Sequence, residues 1–195
     1  MVEKIQARQE DILRAATEFF AALGYRNTDV QRIADTLQIG KGTIYRYFQS
    51  KEELFFASCD RAMNMMEEYV RGHIRDAKSD IERVRLAIRS YIEFYLANPH
   101  FAELFIQERA EFRRRDVPTY LSHRAKLDTE WKAMFERLYA EQKMRVPNFD
   151  RVIDYVSRGL YGIMFTNVFI EKRPNSGSRI DEAIDMLLYG ILEKS

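Results

Sequence analysis

Residues 40–51, GKGTIYRYFQSK, carry three cations, two tyrosines, a threonine and two glycines, and no acid. What such side chains offer is hydrogen-bond donation to anionic oxygen and to ring acceptors. On a helix, with successive side chains about 100° apart, Ile44 and Phe48 point the same way. Arg46 points almost directly opposite, with Gly42 and Thr43 near it, and Tyr45 and Tyr47 flank the face that Arg46 occupies. A cation between two phenols suits the major groove of B-DNA, which admits a helix. The arginine can reach guanine O6 and N7, and the hydroxyls can reach phosphates on either wall. Gly40 can cap or enter the helix without steric cost, and Gly42 lets the backbone approach a base edge. Lys51, in the first turn of the next helix, can pair with a phosphate beside exposed backbone N–H groups.

A short helix of this composition, taken alone, is ordinarily a solvated surface. Its setting is what gives it meaning. Apolar residues recur at helical spacing along the whole chain, which predicts an all-α fold of about nine helices. The first helix lines up Ile12, Ala15, Ala16, Phe19, Phe20 and Leu23, then meets Gly24, which tolerates a positive φ. Val30, Ile33, Ala34 and Leu37 form the inward face of a short second helix, opened by Thr28 with Gln31 as a capping box or by Asp29. The turn QIG then leads into residues 41–48, so two short helices and a three-residue turn make a helix-turn-helix pattern. Ser50 with Glu53 and Ser79 with Glu82 open later helices, Asn98-Pro99 marks another start, and Ser178 with Asp181 begins the last. Pro118 and Pro147 separate the segments between, and residues 172–179 read as a loop.

With those residues in view, the stretch AATEFFAALGYRNTDVQRIADTLQIGKGTIYRYFQSKEELF, residues 15–55, resembles the N-terminal DNA-binding domain of the TetR family of bacterial transcriptional regulators. The most specific portion is IGKGTIYRYFQSKEEL. The resemblance implies a three-helix DNA-binding domain, a helical effector-binding domain and a homodimer on a palindromic operator. It also implies DNA contacts at Gly40, Lys41, Gly42, Thr43, Tyr45, Arg46, Tyr47 and Lys51, with Thr28 and Gln31 beside them. Asp29 departs from the pattern, since the family commonly has a hydroxyl residue there and a carboxylate is a poor neighbour for phosphate. The division expected is residues 1–50 for DNA reading and 51–195 for ligand binding and dimerisation.

The remainder is read from its own residues. Residues 149–171 are apolar around much of the helix, with Val152, Val156, Gly159 and Ile163 near one side, and the last helix repeats this with Ile180, Ala183, Ile184, Leu187, Leu188 and Ile191. A partner subunit is the economical cover, with Val156, Gly159, Ile163, Ile184, Leu187, Leu188 and Ile191 as its interface. Effector-pocket candidates are Met66, Tyr91, Tyr95, Phe105, Trp131 and Phe135, together with two polar interruptions, Glu108 and His123. Each of those two invites a structural reading, a satisfied internal partner, and a functional one, contact with a small molecule.

Composition bounds the rest. The 195 residues are 46% hydrophobic and 31% charged with a net charge of +1, so a positive bias sits in the N-terminal quarter and not in the whole. Charges in the first ten residues and the absence of a long apolar run predict a cytoplasmic protein without a membrane span. Cys59 is the only cysteine and reads as an inert core thiol. His73, His100 and His123 each lack the glutamate three residues earlier that a helical di-metal site uses, and no nucleotide-binding, metalloprotease or hydrolase motif occurs. No enzymatic activity, metal or cofactor is expected. The expectation is a repressor released from its operator by a small, largely hydrophobic molecule, with a helical adaptor of protein partners as the alternative.

Overall fold

The computed structural model describes residues 2–126, 128–166 and 177–189, with side chains at 5–125, 131–166 and 180–189. Every element among them is an α-helix: α1 (Val2–Asn27), α2 (Val30–Thr36), α3 (Lys41–Tyr47), α4 (Lys51–Ile74), α5 (Asp80–Ala97), α6 (Pro99–Glu111), α7 (Thr119–Lys126), α8 (Asp128–Ala140), α9 (Phe149–Phe165) and α10 (Gly177–Tyr189). Periodicity predicts about nine helices, and α7 and α8 both lie in the segment between Pro118 and Pro147 that it reads as one. No described helix is long and apolar enough to cross a membrane. The chain forms two compact units, Met1–Met65 with His100–Ser122, and Met66–Pro99 with His123–Ser195.

Helix ends follow local chemistry. Ser50 Oγ accepts from Glu53 N at 3.0 Å while Glu53 Oε2 accepts from Gln49 N at 2.6 Å. Ser79 Oγ and Glu82 repeat the exchange, with the glutamate returning to Lys78 N at 2.7 Å. Each box thus satisfies two of the amides that a helix start leaves open, one of them a residue earlier than the cap itself. Asn98 serves the helix before it: its Nδ2 donates to Phe94 O at 2.9 Å and its own amide closes α5, leaving Pro99 to begin α6. Ser178's side chain lies outside the described residues.

In the first unit, Ile12, Ala16 and Phe20 of α1, Val30, Ile33 and Ala34 of α2, Ile44 of α3, and Leu54, Phe55 and Cys59 of α4 are buried together with Phe101, Leu104 and Phe105 of α6. An aromatic cluster binds three of these helices: Phe20 meets Phe55 edge-on at 5.1 Å, and Phe112, just past α6, lies 4.8 Å from Tyr25 and 4.7 Å from Phe56. Burial pushes the Cys59 thiol up, which keeps it protonated and inert. Tyr25 reaches the cluster because the helix is interrupted at Gly24, whose φ of 82° and ψ of 159° no L residue adopts without strain.

In the second unit, α5 is the central helix, with Val84, Ile88, Tyr91, Ile92, Phe94 and Tyr95 buried and with α8, α9 and α10 packed on it. Arg89 pairs with Asp181, and Arg85 with Asp185 at 2.6 Å, fastening α5 to α10. Arg137 of α8 grips Asp80 with two hydrogen bonds of 2.9 and 3.1 Å, and this holds the Asp80 carboxyl below the usual range.

Three of the residues expected at a subunit interface are covered within the chain. Ile184, Leu187 and Leu188 are buried within the single chain, and a Cβ built on Gly159 would lie 2.6 Å from Leu187 Cδ2. The glycine therefore admits a leucine of its own chain. Val156 and Ile163 are half-buried, and Ile191 lies outside the described residues. The apolar groups left open on α9 and α10 are others: Tyr155, Phe165, Met186 (75% exposed) and Tyr189 (63%).

Gly24→Ala is expected to lower the free energy of unfolding by about 1 to 3 kcal/mol through strain at the interruption; urea denaturation measures it, and an unchanged midpoint would show that the bend relaxes at no cost.

Candidate nucleic-acid interface

The turn before α3 is built from backbone hydrogen bonds. Ile39 N donates to Ala34 O at 3.0 Å and Gln38 N to Asp35 O at 3.1 Å, the pairing of a Schellman motif. The left-handed position that glycine usually fills is held by Gln38, with φ of 54°. Gly40 then caps α3 with ordinary extended dihedrals, so its own conformation does not demand glycine.

Seven residues of helix follow, and their orientation is set by what they bury. Ile44 is fully buried and Phe48 nearly so, while Arg46 and Gly42 are exposed, Tyr45 is 38% exposed, and Thr43 and Tyr47 are half-buried. The face expected from a 100° rotation is the face presented. A Cβ built on Gly42 meets nothing within 4 Å, so the fold leaves that position open.

The flanking residues divide into two kinds. Asp29 is the residue that caps α2, its Oδ1 accepting from Gln31 N at 2.9 Å, and the same oxygen lies 3.4 Å from Lys41 Nζ. The hydrogen bond from Gln31, with help from Lys41, holds the Asp29 carboxyl below the usual carboxylate range. Gln31 is exposed and its Nε2 donates to Asp35 at 2.7 Å. Lys51 donates to Arg26 O at 3.2 Å with its ammonium 4.7 Å from the Tyr25 ring, and partial burial lowers its pKa against the opposing pull of Asp29 and Glu111. Thr28 differs from the rest: it is buried, and its hydroxyl is shared between Gly24 O at 2.8 Å and Phe19 O at 3.1 Å. A hydroxyl engaged by its own backbone supports the start of α2 from inside. Arg26 was missed by sequence reasoning. Its carbonyl holds Lys51 and its guanidinium bonds Glu111 at 2.6 Å, a pairing that no local spacing signals.

Residues 12–58 match the sequence model of the family described as bacterial regulatory proteins, tetR family. Over these residues the chain is similar to the TetR family. Among curated relatives it is 33% identical over 104 residues to the uncharacterised HTH-type transcriptional regulator YhgD of Bacillus subtilis, covering 53% of this chain and 54% of that one. It is 31% identical over 87 residues to the HTH-type transcriptional activator FasR of Mycolicibacterium smegmatis, covering 45% of this chain and 40% of that one. The match thus spans about half, or less, of each of these relatives' length. A solved TetR-family transcription regulator from Marinobacter aquaeolei superposes with a TM-score of 0.76 over 100% of both chains at 14% identity, a likeness of fold alone.

The effector candidates are distributed over both units. Met66, Tyr91, Tyr95, His123, Trp131 and Phe135 belong to the second unit, whereas Phe105 and Glu108 belong to the first. Tyr91 and Tyr95 are buried with ring centroids 4.9 Å apart, and the Tyr91 hydroxyl faces Met164 Sδ at 3.9 Å. Met66 and Phe135 are buried and Trp131 is half-buried. His123 is buried with Nδ1 2.8 Å from Glu67 Oε1, which is the structural reading of that histidine. Glu108, 2% exposed, accepts at Oε1 from Arg115 Nη1 at 2.7 Å, Thr119 N at 2.9 Å and Thr119 Oγ1 at 3.0 Å. Its carboxylate is compensated inside the fold and joins the end of α6 to the start of α7.

Glu108→Ala should cost about 2 to 4 kcal/mol of stability, from an orphaned buried Thr119 amide and the removal of a charge-assisted bond. Glu108→Gln should cost less, because an amide oxygen still accepts. Equal stability of Glu108→Ala and wild type in urea would show the carboxylate to be dispensable.

Proposed function

We propose that this protein is a dimeric transcriptional regulator that reads duplex DNA with α3 and is released from a palindromic operator by a small, largely hydrophobic molecule. The observation that carries the DNA reading is the orientation of α3: Ile44 and Phe48 buried, Arg46 exposed between Tyr45 and Tyr47, in a domain of the TetR family. A central guanidinium supplies two parallel donors for guanine, and Gly40, Lys41, Gly42, Thr43, Gln31 and Lys51 supply backbone approach and phosphate contacts. On this reading the protein works in the cytoplasm, on DNA, and carries out no catalytic reaction.

The second unit is the seat proposed for the effector, on the grounds that Tyr91, Tyr95, Phe135 and the thioether of Met66 make an apolar, polarisable interior. Release follows from differential affinity: a molecule that binds better to a conformation whose two DNA-reading heads miss successive major grooves weakens DNA binding, and DNA weakens its binding in return. Dimerisation is proposed through α9 and α10, using the apolar side chains they leave open, with Val156, Ile163 and Gly159 behind them.

Selection of bound fragments from genomic DNA is the direct test, since failure to enrich any duplex would remove the reading. On a selected operator, Arg46→Ala is expected to cost about 1 to 3 kcal/mol and to relax base preference; equal losses on operator and random duplex would make Arg46 a phosphate contact instead. For the dimer, Met186→Arg is expected to halve the mass seen by light scattering, because a charge at the centre of an apolar interface is left unpaired. A dimer of unchanged mass would place the interface elsewhere.

A further inference from the structure

Outside the helix-turn-helix, a run of three cations, Arg113, Arg114 and Arg115, follows directly on the end of α6. Arg115 is committed, with Nη1 bonded to Glu108 and its guanidinium 4.0 Å from the Phe56 ring centroid. Arg113 and Arg114 are exposed and have no acidic partner among the described residues. With Arg26, Glu52, Phe56, Ala110, Glu111 and Phe112 the three arginines line an open groove of about 920 Å³. Four guanidiniums thus face two carboxylates, and one of those, Glu111, is already held by Arg26 at 2.6 Å. Glu52 is the only other acid on the lining.

Connection decides which anion this excess of positive charge fits. Arg26 links the groove to the start of α4, because its carbonyl accepts from Lys51 while its guanidinium bonds Glu111. Lys51 in turn follows Phe48, the cap of α3, by three residues. Lys51, Arg26, Arg113 and Arg114 are therefore linked through one hydrogen bond and one groove, in the same compact unit as Arg46. A small-molecule site aims a few buried polar groups into an enclosed cavity. Here the free guanidiniums are exposed on the rim of an open groove, the arrangement that suits a polyanion carrying a charge about every 1.7 Å along its axis.

We propose that Arg113 and Arg114 are a second phosphate-binding element, which holds the sugar–phosphate backbone of duplex DNA beside the segment read by α3. The proposal rests on the DNA-binding reading and extends it to residues outside the helix-turn-helix. Contacts to phosphate position a protein without carrying sequence information, so this element strengthens every duplex alike and leaves base choice to α3.

The test is the salt dependence of DNA binding by the full chain, on a selected operator and on a random duplex. Replacing both arginines, Arg113→Ala with Arg114→Ala, should flatten the plot of log affinity against log salt by about 0.9 for each phosphate no longer neutralised, about 2 per subunit. Operator and random duplex should weaken by the same factor, the melting temperature should stay unchanged, and the paired Arg→Lys variant should restore the slope. A wild-type slope in the double alanine variant, alongside a reduced slope in Lys51→Ala, would overturn the proposal while leaving the DNA reading intact. Failure of the wild type to bind any duplex would remove both. Loss of inorganic triphosphate binding in the double variant with an unchanged DNA slope would make the groove a small-anion site and overturn the proposal as stated.

Discussion

A helix of seven residues does not hold its own shape in water, because closing the first turn fixes several dihedrals for one hydrogen bond. In this chain α3 is held by the burial of Ile44 and Phe48 against the first unit's core, each side chain contributing about 1.5 to 3 kcal/mol. The same two side chains fix the rotation of the helix about its axis, and with it the side on which Arg46 emerges. Everything around them supports that seating. The Schellman turn delivers the chain at the right angle, Thr28 braces α2 from within, and the aromatic cluster of Phe20, Tyr25, Phe55, Phe56 and Phe112 backs the helices on which α3 rests.

Around the helix-turn-helix, charge is organised by pairing, and the excess lies at Arg113 and Arg114. Lys41 has Asp29, Arg26 has Glu111, and Lys51 has a carbonyl and a tyrosine ring. Such exposed pairs contribute little to stability, yet on the proposed reading they keep long side chains near the places where an incoming phosphate would take over from an internal acceptor. A chain with a net charge of +1 can in this way present a locally basic face without the self-repulsion of a strongly basic protein.

Much of the local structure was legible because its determinants are neighbours in sequence. The capping boxes at Ser50 and Ser79, the positive φ of Gly24 and the outward rotation of Arg46 all follow from spacings of a few residues. What escaped was decided at long range. Apolar stripes on the last two helices suggested a partner, but a stripe does not say which surface covers it, and Leu187 sits against Gly159 of the same chain. Glu108 stood out as an interruption, and its satisfaction by Arg115 and Thr119 depends on how the chain turns after α6. Runs of arginine are ordinarily solvent-facing, so nothing in the sequence around Arg113 and Arg114 signals the groove they line.

Gly42 separates the needs of the folded chain from those of whatever meets it. Space for a methyl group is open there, and alanine is the better helix former by about 1 kcal/mol. On its own terms the domain would be firmer with the larger residue. A glycine at an exposed position inside a helix that is short of stability gains nothing within the molecule, and on the proposed reading its benefit arises at contact, where the missing methyl lets another surface come nearer. The two effects have opposite signs on the same carbon atom.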